Sequence, residues 1–288
     1  MNQTGARVPL EGFARVVGWA LEEDLDGRGD PTSRLVGDPP AAAVLVAREP
    51  GVIAGLPGLP IVLDRVAERL GSGAVEARCS VQDGDRVRGG TALAQLRGSA
   101  QTMLGAERTL LNLVGRLSGV ATLTAAFVAA IAGTGAVIRD TRKTTPGLRE
   151  LEKYAVRCGG GANHRMGLFD ALLVKDNHIR AAGSLAAAVT AARRAAPDLP
   201  LQVEVETLQE LQDALDLGCD LILLDNMPLA AMAEAARRSR GRARLEASGG
   251  VTLATVRQVA QTGVDYIAVG ALTHAASSLD VAVDWLTS

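Results

Sequence analysis

Between residues 141 and 165 the chain carries six Arg or Lys and one His against two acids, Glu150 and Glu152, although its formal net charge is only −2. Not all of these cations are candidates for chemistry. From Pro146 onward the spacing predicts a helix with an apolar stripe of Leu148, Leu151, Tyr154, Ala155 and Cys158, and Arg149, Lys153 and Arg157 fall largely off it. They are expected to form a solvated helix face. Arg142, Lys143, His164 and Arg165 remain, with Lys175 ten residues further on. The chain has 27 Arg but only three Lys, at 143, 153 and 175. So strong a bias suggests that Lys is kept where a compact ammonium serves better than a planar fork.

The opposite charge stands at Glu204 and Asp225. In "LQVEVE", Gln202, Glu204 and Glu206 share one face of a strand, and Val203 and Val205 the other. Two acids on an inward face are costly unless cations or ligand hydroxyls satisfy them. The plain alternative is that Glu204 pairs with a lysine of a neighbouring strand. Two glycine-rich endings can seat a phosphate. "ASGGVT" offers Ser248, Gly249 and Gly250 ahead of a helix, and "VGALTH" supplies Gly270 after the last strand. A third glycine loop, "RCGGGANHRMG", presents His164 and Arg165. A lone histidine is usually satisfied at the surface; after three glycines and beside Arg165, ligand contact is the favoured reading. Arg forks suit carboxylates or phosphates, Lys suits a point contact to phosphate, and the acids suit sugar hydroxyls or a hydrated Mg²⁺. A phosphorylated sugar carrying pyrophosphate, together with an anionic co-substrate, fits the whole set.

Elements that could position these groups are legible. After residue 135, short apolar strands at 136–140, 171–176, 201–206, 221–226, 244–249 and 266–270 alternate with helical patterns. This predicts a parallel sheet, closed or nearly closed, with a six-strand open sheet as the competing geometry. The reactive residues stand at the carboxyl ends of those strands, where sites of parallel α/β folds lie. Before this region come an amphipathic helix at 11–23, a turn-rich stretch, strands at 41–49 and 74–80 and a helix near 58–70. A hairpin-rich segment at 83–98 follows, then residues 100–131 as two helices or one broken near Ser118–Gly119. "LDVAVDWL" alternates and can return to the N-terminal part as a strand.

Composition excludes several classes. Aromatics at 2% leave no base-stacking surface, and near-neutrality argues against a general polyanion binder, so no nucleic acid is expected. No signal-peptide run opens the chain, and Arg116 interrupts the most apolar stretch, so core helices and no membrane are expected. Three scattered cysteines without a CxxC suit a reducing cytoplasm.

The stretch "TRKTTPGLRELEKYAVRCGGGANHRMGLFDALLVKDNHI" resembles the core signature of the quinolinate phosphoribosyltransferase family. "EEDLDGRGDPTS", "DGDRVRGG", "GAERTLLNLVGRLSGVATLT", "EVET", "LLDNM", "SGGVT" and "VGALTH" extend the likeness in order. The resemblance implies an N-terminal α/β sandwich over 1–115, joined by the tail 275–288, and a TIM-like α/β barrel of about seven strands over 116–274. It implies a homodimer with a shared active site, further assembly left open, in which Arg108 reaches across to the partner. The implied reaction joins quinolinate to phosphoribosyl pyrophosphate with loss of CO₂, with Mg²⁺ as cofactor. By the same resemblance Arg108, Arg142, His164 and Arg165 hold the two carboxylates, and Thr141 and Ala271 line the substrates. Lys143 and Lys175 act as point charges. Glu204 and Asp225 grip ribose hydroxyls and Mg²⁺. Ser248, Gly249, Gly250, Gly270 and His274 seat the 5′-phosphate. A nicotinate transferase of the same fold would need fewer cations, and a phosphate-sensing barrel would not need the acids.

Overall fold

The computed structural model describes residues 7–286. Residues 1–6 and 287–288, which the expected N-terminal domain and tail include, lie outside the described residues. In chain order the elements are α1 (Leu10–Leu25), β1 (Pro40–Ala47), β2 (Gly51–Val52), α2 (Leu59–Leu70), β3 (Val75–Cys79), β4 (Arg86–Val87), β5 (Ala92–Ser99) and α3 (Ala100–Ala130). There follow β6 (Val137–Arg139), α4 (Arg149–Cys158), β7 (Leu172–Val174), α5 (Asp176–Ala182), α6 (Leu185–Ala195), β8 (Leu201–Val205) and α7 (Leu208–Asp216). The last are β9 (Leu221–Asp225), α8 (Leu229–Ser239), β10 (Arg244–Ser248), α9 (Val256–Gln261), β11 (Tyr266–Ala268), α10 (Ala271–His274) and β12 (Val281–Trp285).

The chain forms two compact units. One takes in the chain up to Ala125, Thr144–Gly160 and the part from Thr273 onward; the other takes in Ala126–Lys143 and Gly161–Leu272. The first unit holds an antiparallel sheet in the order β12-β1-β5-β3. The alternating tail becomes β12, which runs antiparallel to β1 with Val281 opposite Ala47. Its core gathers Val17, Leu21 and Leu63 from the helices with Leu45, Leu93 and Leu96 from the strands. The apolar face of α1 is the source of its order: Phe13, Val16, Val17, Leu21 and Leu25 recur at helical spacing and all are buried.

Helix α3 is long and apolar enough to cross a membrane. Its Met103, Ala106, Leu110 and Val114 instead join the core of the first unit, which accounts for its composition. It is also unbroken, contrary to the expected interruption at Ser118–Gly119. Gly119 is there for close approach: a Cβ on it would stand 1.9 Å from the carbonyl oxygen of Ser277. Ser118 is spent on the N–H of Ala54, which donates to its Oγ at 3.0 Å.

Segment 144–160 belongs with the first unit for identifiable reasons. The Tyr154 hydroxyl donates to Asp83 Oδ2 at 2.8 Å, and the rings of Phe13 and Tyr154 meet edge to face. Six consecutive residues of α4, Leu151 to Val156, are buried. The expectation of a solvated cationic face therefore fails at Lys153, which has no exposed surface. Arg149 and Arg157 are half-buried; Arg149 Nε donates to Thr144 Oγ1 at 3.0 Å. A single apolar stripe cannot show that a short helix is enclosed on several sides.

The second unit holds six parallel strands in the order β6-β11-β10-β9-β8-β7. Helices intervene, each started by ordinary local chemistry. Thr207 caps α7 and exchanges bonds with Glu210, and Ser184 Oγ accepts from the Ala187 N–H to cap α6. The seventh stave of the expected barrel is present only as a bridge, in which Ala162 pairs in parallel with Arg139 beyond the β6 edge. Closure is nevertheless evident. His164, two residues past that bridge, lies 2.9 Å from Gln202 of β8, although four inter-strand steps of about 4.8 Å would separate β8 from β6 in a flat sheet.

Candidate active site

Inside the second unit the side chains form a polar floor and a charged rim above it. The floor draws on β6, β8 and β10, alternate members of the sheet, as layers within barrels do. Its centre is Glu246, fully buried. Glu246 Oε2 accepts from Arg139 Nη1 at 3.2 Å and from Gln202 Nε2 at 2.6 Å, and lies 3.5 Å from His164 Nε2. The Arg139 guanidinium also donates to the Asn163 carbonyl and stands over the Tyr266 ring, 4.7 Å from its centroid.

Asp140, also fully buried, ties the glycine loop to this floor. Its Oδ1 accepts from the His164 backbone N–H at 2.9 Å and its Oδ2 from Asn163 Nδ2 at 2.5 Å. The His164 ring is engaged at both nitrogens, with Gln202 Oε1 at 2.9 Å from Nε2 and the Arg165 N–H donating to Nδ1 at 2.7 Å. Arg165 continues outward, with one guanidinium nitrogen donating to the Ala171 carbonyl. Burial, and then the like charge of Arg142, weaken its hold on its proton. The like charge of Arg142 thus reaches Arg165, a repulsion that an anion would relieve.

At the rim, Lys175 and Glu204 are cross-strand neighbours, since Leu173 pairs with Gln202 two residues earlier on each strand. Lys175 Nζ donates to Glu204 Oε2 at 2.6 Å. The plain pairing that the sequence left open is thus present, yet 43% of the Lys175 side chain remains open to solvent. Asp225 ends β9 on the same face, because Glu204 aligns with Leu223 two residues before it. It is half-buried and accepts from Asn226 Nδ2 at 2.9 Å. Lys143 is exposed just beyond β6, with its N–H on Thr141 Oγ1 at 3.0 Å.

The glycine endings divide. Gly249 and Gly250 have φ of +100° and +58°, two successive left-handed residues following Ser248. A Cβ on Gly249 would lie 2.1 Å from Asn226 Oδ1, while the Asn226 N–H donates to the Ser248 carbonyl at 2.9 Å. Helix α9 begins only at Val256, so the helix N-terminus expected directly after the glycines stands further along the chain. Gly270 leads straight into α10, whose first residue is Ala271; just before it, the Val269 N–H donates to the Arg139 carbonyl.

Thr141, Arg142, Lys143, His164, Arg165, Lys175, Glu204, Asp225, Ser248, Gly249, Gly250, Gly270 and Ala271 all fall in the second unit, and Arg108 and His274 in the first. Arg108 is exposed on α3 and His274 is exposed at the end of α10. Strand-end position marked Arg139, Asp140 and Glu246 in the sequence but left open whether they support the site or contact a ligand. Gln202 was legible as an inward residue from its period of two with Glu204, but its link to His164 spans residues that only barrel closure brings together. No cluster of three or more metal-ligating side chains occurs among the described residues. Glu204 and Asp225 on one face fit a Mg²⁺ ion that brings phosphate and water oxygens with it, rather than an all-protein cage.

Comparison with known proteins agrees over nearly the whole chain. Residues 30–118 match the family model described as quinolinate phosphoribosyl transferase, N-terminal domain, and residues 120–284 match the C-terminal domain of the same family. A curated relative from Mycobacterium leprae, nicotinate-nucleotide pyrophosphorylase [carboxylating], is 48% identical over 92% of this chain and 94% of its own. One from Bacillus subtilis, probable nicotinate-nucleotide pyrophosphorylase [carboxylating], is 42% identical over 91% of this chain and 89% of its own. The solved nicotinate-nucleotide pyrophosphorylase from Francisella tularensis superposes with a TM-score of 0.91 at 36% identity, covering 98% of each chain.

Proposed function

The chain belongs to the quinolinate phosphoribosyltransferase family, and from that premise we propose how its own residues divide the work. The reaction transfers the phosphoribosyl group of phosphoribosyl pyrophosphate to quinolinate with decarboxylation, giving nicotinate mononucleotide, pyrophosphate and CO₂, a step of de novo NAD synthesis. The observation that carries the assignment of roles is the half-open Lys175–Glu204 pair at the carboxyl ends of two adjacent parallel strands.

Arg142 and Arg165 grip the quinolinate carboxylates, and Lys143 and Lys175 hold the pyrophosphate or the carboxylate as point charges. Glu204 and Asp225 take the ribose hydroxyls and stabilise positive charge developing at the anomeric carbon. When bound, Mg²⁺ at these two carboxylates supplies charge neutralisation to the pyrophosphate. Ser248, Gly249, Gly250 and Gly270 seat the 5′-phosphate, with Thr141 and Ala271 lining the substrates. The pyridine nitrogen displaces pyrophosphate and becomes cationic. The carbon–carboxylate bond beside it then breaks; the electron pair stays on the ring carbon, stabilised by the adjacent cation, and takes up a proton as CO₂ departs. Placement and fixed charge suffice for this, and no covalent nucleophile is needed.

The protein works in the cytoplasm as a homodimer, and Arg108 completes the partner's site; its exposure on α3 supports this reading. Release of ¹⁴CO₂ from carboxyl-labelled quinolinate, dependent on phosphoribosyl pyrophosphate, is the expected result of the direct assay. No release, or release independent of the donor, overturns the assignment. Mixing Arg108→Ala with Lys175→Ala chains should restore part of the activity, since each mixed dimer regains one complete site. Absence of rescue after demonstrated chain exchange rules out sharing.

A further inference from the structure

We propose that Gln202 and Glu246 are positioning residues which hold His164 as the neutral Nε2–H tautomer, and that His164 serves the site by fixing Arg165 rather than by contributing charge. This rests on the reading that Arg165 grips a substrate carboxylate.

The inference follows from donor and acceptor inventories. Glu246 is buried, and its Oε2 already receives Arg139 Nη1 at 3.2 Å, so that oxygen is an acceptor. The group of Gln202 that approaches it at 2.6 Å must then be the amide NH₂, which turns Oε1 toward the imidazole. A carbonyl-type oxygen 2.9 Å from His164 Nε2 requires the proton on that nitrogen. The other side gives the same answer independently. The Arg165 backbone N–H points at Nδ1 from 2.7 Å, and only a lone pair can receive it. A doubly protonated ring would set one N–H against another. Asp140 completes the restraint by holding the His164 N–H at 2.9 Å, so backbone and ring are fixed by different groups. The cation count facing the substrate therefore comes from Arg142, Arg165, Lys143 and Lys175, and His164 acts through the chain it orients.

The chain has only three histidines, which makes the test direct. In protein labelled with ¹⁵N at the imidazoles, His164 is assigned by the signals lost in His164→Asn. Its Nδ1 is expected to be pyridine-like and its Nε2 pyrrole-like at pH 7. The opposite tautomer, or two pyrrole-like nitrogens, overturns the proposal without reference to activity. In Gln202→Leu the ring should sample both tautomers, and KM for quinolinate should rise about five- to tenfold, the size of one lost hydrogen bond. KM for phosphoribosyl pyrophosphate should stay within about twofold and kcat within about threefold, because only the grip of Arg165 is loosened. An unchanged tautomer with unchanged KM in Gln202→Leu also overturns the proposal. Failure of the wild-type protein to release CO₂ would remove the functional reading alone and leave the tautomer result standing.

Discussion

Glu152 in the first unit and Glu204 in the second each meet a cation at 2.6 Å, Arg116 and Lys175 respectively. Distance does not separate them; enclosure and donor number do. Glu152 has no exposed side-chain surface. Its Oε1 receives Arg116 Nε, Arg116 Nη2 and the Thr145 hydroxyl, and its Oε2 receives the Thr145 N–H. Arg116 also donates to the carbonyls of Ala276 and Thr273. Glu204 instead receives one ammonium, whose side chain is 43% exposed. A carboxylate filled by protein donors is scaffold, whereas one held by a single exposed Lys can exchange that partner for a ligand.

The contrast can be broken experimentally. Lys175→Ala should lower kcat by about 10²–10³-fold, the size expected for loss of one transition-state charge contact, with the melting temperature close to wild type. Labelled CO₂ release and calorimetry on the same preparation test both halves. An equal loss of stability would put Lys175 in the class of Arg116. Arg116→Ala should show the converse: about 3–5 kcal/mol lost in urea unfolding, because a buried carboxylate is left without its cation. Its activity should follow the folded fraction.

Asp83 sharpens the scaffold side. It is buried and accepts from the N–H groups of Gly55 and Leu56 and from the Tyr154 hydroxyl. Burial outweighs these donors and pushes its carboxyl above the usual range. The folded state therefore holds the Asp83 proton at a pH where the unfolded chain has lost it. The stabilising contribution is complete below the ordinary carboxyl pKa and declines as pH rises toward the raised value. Asp83→Asn should remove that slope from the stability profile. It should also cost about 1–3 kcal/mol at neutral pH by turning an amide donor toward donors. Urea titrations across pH 3–7 check both.

The six strands were readable because each has a short apolar run and ends in a polar or glycine residue, and the tail strand because it alternates. The seventh stave was not, since a one-residue bridge at Ala162 leaves no periodic trace. Gly119 looked like a helix breaker because glycine ordinarily punctuates, but its purpose is set by Ser277, 158 positions away in sequence. Lys153 looked solvent-facing because helical period reports one packed side and α4 is buried on more than one. At the site, charge clustering and strand-end position made Arg142, Lys143, Lys175, Glu204 and Asp225 candidates, and all five fall in the second unit. The sequence also pointed to His164, but gave no hint that both of its nitrogens are occupied internally, since Gln202 meets it only after the barrel closes.

The interlock of Gly249 with Asn226 restricts how this molecule can drift. Position 249 is barred to side chains twice over, by its φ of +100° and by the neighbouring amide 2.1 Å from any Cβ. Two adjacent strand ends thus share one fate under mutation, and a randomised library at 249 should return glycine almost alone. Selection at this rim is therefore free to act on its charged side chains, while the turn after β10 stays frozen.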